Sequence, residues 1–198
     1  MFIRALSSIL KPFFLFLFVT LFFSHKLFAQ NKLQGIYLTA NDFINNKITY
    51  SPIEARKYKF HLNEFTHNHF IKIIIGDTAY QFFKDSVFAF RDKEGICYRL
   101  NKRSNYQIIS FNHTIVLYKQ TTNGGYKNTE TITKYYFSVN AKTPLFSLNK
   151  WNLKNEYPNN YEFHELLDMY FKSDDDLNNY DCYYHTYKLN IVLKKSIK

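Results

Sequence analysis

VFAFRDKEGICYRLNKRSNYQIISFNHTIVLYK, residues 87–119, decides the fold. It breaks into short runs rich in aromatic and β-branched residues, at 87–90, 96–100, 106–111 and 114–119. Polar stretches part them, containing Asp92 and Gly95, then Asn101 and Asn105, then Asn112 and His113. Runs of this kind bounded by Asn, Asp and Gly read as strands and turns. Connections this short join antiparallel neighbours, because a parallel pair needs a crossover of a dozen residues or more. The stretch predicts an antiparallel meander, opened by a hairpin at 92–95.

Working upstream, further strand-like runs lie at 57–62, 70–75, 79–83 and 86–90. Ile71, Ile73, Ile74 and Ile75 make the second of these apolar enough for a central strand, and Gly76-Asp77 is a turn. Gly35-Ile36-Tyr37-Leu38 reads as a first strand. Thr39 with Asp42 three residues later has the form of a capping box opening a short helical turn, which Asn45-Asn46 ends. Residues 47–53 read as extended. Downstream, 121–128 contains Asn123-Gly124-Gly125 and reads as a polar loop, and 131–139 returns as a strand.

From residue 147 the period changes. Residues 149–157 read as a short helix carrying Trp151 and Leu153, broken by Pro158. Asn159 and Glu162 form a second capping-box-like start, after which Phe163, Leu166, Leu167, Tyr170 and Phe171 follow a helical stripe. Asp174, Asp175 and Asp176 suit the N-terminus of a last helix, with Leu177, Tyr180, Tyr184, Tyr187 and Ile191 on one face. Lys194, Lys195 and Lys198 sit at its favoured end. The expected fold is α+β: mainly an antiparallel β-meander or roll, followed by two or three C-terminal helices packed on the sheet.

The N-terminus reads as an export signal. Arg4 and Lys11 precede a 12-residue apolar run, PFFLFLFVTLFF, and a more polar stretch ends at Ala29. The run is shorter than the ~20 residues needed to span a bilayer, so cleavage after Ala29 is expected rather than anchorage. Residues 1–29 are then the signal peptide and 30–198 a single mature domain, β-rich over 30–146 and helical over 147–198. The mature part carries 23 Lys and Arg against 16 Asp and Glu, a formal charge of +7. The basic residues are scattered, with no run of five, so no nucleic-acid arm is expected. Export implies periplasm, cell surface or secretion, with no transmembrane anchor after processing.

At Gly35-Ile36-Tyr37-Leu38-Thr39 with Asp42-Phe43-Ile44-Asn45-Asn46-Lys47, the chain resembles a group of small exported Bacteroidetes proteins of uncharacterised function. Pro144-Leu145-Phe146-Ser147-Leu148-Asn149-Lys150, followed by Asn152-Leu153-Lys154, fits the same resemblance. It implies export, a meander with C-terminal helices, and a Gram-negative periplasm or cell surface. It implies no activity. Asp77-Thr78-Ala79 and Asp85-Ser86-Val87 resemble the O-glycosylation acceptors of such proteins, and Asn112-His113-Thr114 is an N-glycosylation sequon.

Chemistry-bearing residues are few. Cys97 and Cys182 are the only cysteines, and an even count after an export signal admits either one disulfide or two free thiols. A bridge would close a loop of about 86 residues and stabilise by about 4 kcal/mol through chain entropy. His67 and His69 are the metal candidates, since residues two apart on a strand share a face, with His61 or Glu64 as a further ligand. Solvated histidines at a polar turn are the simpler alternative. Glu162, His164, Glu165 and Asp168 have acid–base spacing on a helix but fall off its apolar stripe, as a solvated face does. No nucleophile elbow, phosphate-binding glycine loop, HExxH or dinucleotide fingerprint occurs, so no catalytic residue and no cofactor is assigned. The expectation is a non-catalytic binding or structural module of the cell envelope, with a glycan or another envelope protein as partner. The alternatives are a partner subunit of an envelope complex and a hydrolase with a scattered or metal-dependent site.

Overall fold

A computed structural model describes residues 34–49, 58–61, 69–102, 104–111, 114–123 and 130–197. The stretch read as a signal peptide, residues 50–53 of the run read as extended and residues 124–128 of the expected loop lie outside the described residues. Strand β1 (Gly35–Tyr37) leads into helix α1 (Ala40–Ile44). Thr39 caps that helix as expected: its hydroxyl accepts from the Asp42 amide at 3.1 Å, and the Asp42 carboxylate accepts from the Thr39 amide at 3.0 Å. Then come β2 (Tyr58–His61), β3 (Phe70–Ile75), β4 (Thr78–Phe83), β5 (Ala89–Arg91), β6 (Cys97–Asn101), β7 (Ser104–Phe111), β8 (Val116–Asn123), β9 (Thr131–Ser138) and β10 (Phe146–Ser147).

The main sheet has seven strands in the order β1-β5-β6-β7-β8-β9-β10, each pair antiparallel. From β5 onward spatial order follows chain order, which is the predicted meander. Its turns use the residues that turn chemistry selects. Gly95 takes φ +85° and the Asp92 carboxylate accepts from the Ile96 amide at 2.7 Å, closing the 92–95 hairpin. The Ile71–Ile75 run is a central strand as expected, and it belongs to a separate three-stranded sheet, β2-β3-β4. One strand expectation needs correcting. The stretch read as a loop from 121 is strand as far as Asn123, because Thr121, Thr122 and Asn123 pair with Thr133, Ile132 and Thr131. Threonine-rich polar segments suit an exposed pleated surface as well as a loop.

The helical region begins with α2 (Lys150–Glu156) and α3 (Tyr161–Tyr170). The cap of α3 is Asn160, one residue later than expected, accepting from the Phe163 amide at 3.0 Å. Lys154 and Lys150 both reach Asp168, at 2.6 and 3.6 Å, and tie α2 to α3. The single last helix expected from 174 does not form. A 3-10 turn (Asp174–Asn178) is followed by a small hairpin, β11 (Tyr180–Asp181) and β12 (Thr186–Tyr187), and only then by α4 (Lys188–Ser196). The reason is local: the Asp181 carboxylate accepts from the amides of Tyr183 and Tyr184, and His185 adopts φ +49°. An Asp side chain that takes the next amides competes with helix propagation.

Antiparallel register fixes which residues share a face. One row crosses six strands: Ile36, Phe90, Tyr98, Gln107, Lys119 and Tyr135 are successive partners. At the β1 end this face is covered by the three-stranded sheet, where Ile36, Phe90 and Leu100 pack with Ile71 and Ile73. At the β8–β9 end the helices cover it: Ile115, Leu117 and Phe137 pack with Phe163, Leu167 and Leu193. On the opposite face Arg99, only 9 % exposed, lies between the rings of Phe88 and Tyr118, at 5.2 and 5.7 Å. It donates to the Tyr118 hydroxyl (3.1 Å) and the Thr143 carbonyl (2.8 Å), pinning the 139–145 connection over the sheet.

Candidate binding cleft

The two covers leave the middle of their shared face open. There β6 and β7 part. They pair from Asn101↔Ser104 to Tyr98↔Gln107, whereas β7 runs on to Phe111 against β8. Past Gln107, β7 has no strand partner on its β6 side among the described residues. A bulge between Ile108 and Ser110 bends β7 further. The result is a cleft of about 510 Å³.

Gly95, Ile96 and Cys97 form its β6 wall, and Ile108, Ile109 and Phe111 its β7 wall. Phe43 of α1 closes one side, held edge-to-face against Phe111 at 5.1 Å. Tyr187, at the base of the small hairpin, stands over the cleft as well. Burial, with Tyr135 and Tyr180 nearby, pushes the Tyr187 phenol up, so it stays protonated and able to donate a hydrogen bond at neutral pH.

The polar groups of the cleft differ in what already holds them. The Ser110 hydroxyl accepts from Asn190 of α4 at 2.8 Å, and the Cys97 sulfur accepts from the Arg91 guanidinium at 3.4 Å. Gln107 and Lys119 are direct cross-strand partners, both half-buried, and neither side chain makes a hydrogen bond or ion pair to a described residue. Among the described residues, Lys119 is the only charged one lining the cleft. A smaller groove of about 250 Å³, between β9 and the 3-10 turn, holds Lys134 with Asp174 and Asp175 and so carries both signs of charge.

The residues singled out from sequence fall elsewhere. His69 is exposed just before β3, and His61 is exposed at the end of β2; His67 and Glu64 lie outside the described residues. Among the described residues no three of His, Cys, Asp and Glu converge to hold a metal ion. Glu162, Glu165 and Asp168 are exposed on α3, while the His164 ring nitrogen sits 2.9 Å from the Tyr157 carbonyl. Lys154 holds the Asp168 carboxyl below the usual carboxylate range. Asp176 is lowered too, chiefly by the Ser173 amide, as a helix-capping acid. The cysteines are unpaired: Cys97 is half-buried in the cleft wall and Cys182 is exposed at the tip of the hairpin. A bridge would have joined the meander to the expected last helix, whereas Cys182 lies in the exposed turn of the β11–β12 hairpin. Thr78 and Ser86, the hydroxyls of the two glycan-acceptor patterns, are exposed.

The helical cover has an outer surface rich in aromatics. Trp151, Tyr161, Met169 and Tyr183 are each more than 70 % exposed, and Tyr183 packs edge-to-face on Tyr184 at 4.8 Å. No helix among the described residues is long and apolar enough to cross a membrane.

Gln107 and Lys119 were not among the candidate residues, though the alternation contains a signal for them. Counting inward positions along β8 gives Ile115, Leu117, Lys119, and β7 places Gln107 directly opposite. Two adjacent strands thus put a polar residue at the same depth of an otherwise apolar face. No family model matches the chain, and no curated protein or solved structure matches it either.

Proposed function

We propose that this chain is an exported, non-catalytic binding module of the cell envelope, and that the cleft between β6 and β7 is where it binds. The observation carrying this is the Gln107–Lys119 pair in the cleft wall, whose side chains make no hydrogen bond or ion pair among the described residues. Half-buried polar side chains converging in a concave, partly apolar lining are the groups that orient a ligand in a small-molecule site. The lining supports binding over catalysis: its one thiol, Cys97, has neither an imidazole nor a carboxylate beside it among the lining residues. Export rests on the basic start, 12-residue apolar run and Ala29 of the leader. The resemblance to exported Bacteroidetes proteins agrees with it. Two measurements test this. Intact-mass analysis of the native envelope fraction should find a chain beginning near Gln30. Incubation with a panel of glycan, peptide and ester substrates should give no turnover. An intact leader removes the compartment, and turnover removes the non-catalytic role.

A second reading has its own observation. The exposed Trp151, Tyr161, Met169, Tyr183 and Tyr184 on the helical cover favour a subunit that docks another envelope protein, since aromatics dominate interface anchors. Cross-linking in intact cells, with a photoreactive residue at Tyr183, should then trap one envelope partner.

A further inference from the structure

The chemistry of the cleft narrows its ligand. Resting on the binding role proposed above, we infer that the cleft takes a small amphipathic anion: an apolar body with one carboxylate or similar oxyanion head, held by Lys119 and Gln107. Charge complementarity is the first ground. Among the described residues Lys119 is the only charged one lining the cleft, no carboxylate joins it there, and its ammonium has no partner. A cation left unneutralised beside apolar walls gains most from an anionic head group. The amide comes second. Gln107 lies directly across from Lys119 on the same face, where Cβ atoms stand about 5 Å apart, so its NH2 and the ammonium both reach one oxyanion. Third, Ile96 and Ile109 offer that ligand's body an apolar wall, and Phe43 and Phe111 close the opening from the far side of the sheet. A volume of about 510 Å³ is in the range of small-molecule sites. Tyr187 is a further donor over the same cleft.

The cleft's position between the two covers separates head from body. The polar pair, Gln107 and Lys119, lies between the two packed cores, with Tyr187 of the helical cover at its edge. The ligand's body lies along the parted end of β6 and β7, and its head turns toward β8.

Isothermal titration of the mature chain with decanoate and with decanol tests this directly, because the two probes share a body and differ in the head. Decanoate should bind at least about tenfold more tightly than decanol, and Lys119→Met should remove that difference, one charge-assisted contact being about a tenfold effect. Gln107→Leu should reduce decanoate affinity several-fold and leave decanol unchanged. Lys134→Met, on the other face, should change nothing. Melting curves of each variant confirm that it is folded. Equal binding of decanoate and decanol overturns the anionic head while leaving the cleft as a binding site. Binding of neither probe to the folded wild type overturns both the anion and the cleft. Tight decanoate binding that survives both Lys119→Met and Gln107→Leu places the head group elsewhere and overturns the assignment.

Discussion

One face of the main sheet wears two covers, and they are built differently. Over β8 and β9 the helices bring Phe163, Leu167, Leu177, Leu189 and Leu193 to zero exposure against Ile115, Leu117 and Phe137. Over β1, β5 and β6 the cover is a three-stranded sheet that contributes Ile71 and Ile73, while its outer strand β4 shows Tyr80 and Phe83 to solvent. Helices lay down a wide apolar stripe that seals a sheet, whereas a small sheet contributes only alternate residues of its strands. The difference teaches where the open space falls. Between the two cores, where β6 and β7 part, only Tyr187 of the helical cover lines the cleft, and Gln107 and Lys119 are left half-buried.

The hardest way to break this comparison is to cut each cover at its centre. Phe163→Ala should cost about 3–5 kcal/mol, the range for losing a large buried aromatic, and Ile73→Val only about 1 kcal/mol, both read by urea denaturation. If Ile73→Val costs as much as Phe163→Ala, the small sheet is the principal core and the comparison inverts. On the opposite face, Arg99→Met should cost about 2–3 kcal/mol, since it leaves the Thr143 carbonyl and the Tyr118–Ser138 hydroxyl pair without their shared donor. Arg99→Lys should not restore it, because an ammonium has neither the fork nor the planar stack between Phe88 and Tyr118.

A gentler probe is alkaline pH, which acts on both halves. Burial pushes the Tyr37 phenol up to about 12 and raises that of Tyr157, whose hydroxyl donates to the Thr114 carbonyl at 2.6 Å. The folded values lie above the unfolded one near 10, so the neutral phenols contribute fully below about pH 10. That contribution is lost as pH rises beyond it, because only the unfolded chain then gives up its protons. Tyr157→Phe should cost about 1 kcal/mol at pH 7 and flatten the alkaline limb of the stability curve. The smallest effect belongs to the helix surface. Lys154→Ala should cost less than about 1 kcal/mol, as exposed ion pairs do, and be masked by salt. Because Asp168 is lowered in the folded state, its contribution is present above its unfolded value and fades as pH falls through the folded one.

Local chemistry made much of this fold legible. The Thr39–Asp42 cap, the Gly95 hairpin and the Phe163-Leu167-Phe171 stripe are each decided within a few residues, and each formed as the residues dictate. The segment from 174 to 187 misled because Leu177, Tyr180, Tyr184 and Tyr187 have helical spacing, while the bonds that break the helix come from one carboxylate, Asp181. Ile71 and Ile73 read correctly as a buried strand, but alternation alone does not say which sheet owns it. The cleft was out of reach for a different reason. It depends on where β6 stops pairing with β7 and on a bulge at Ile109, and register of that kind is settled only by the assembled sheet.

Amide NMR of isotopically labelled residues 30–198, titrated with decanoate, puts the central claim to the sharpest test, because the row between the covers and the aromatic hairpin report on separate amides. Shifts should concentrate at Cys97, Gln107–Phe111, Lys119 and Tyr187, with Tyr183 and Tyr184 unmoved. Shifts confined to the hairpin, with Gln107 and Lys119 silent at saturation, would contradict it.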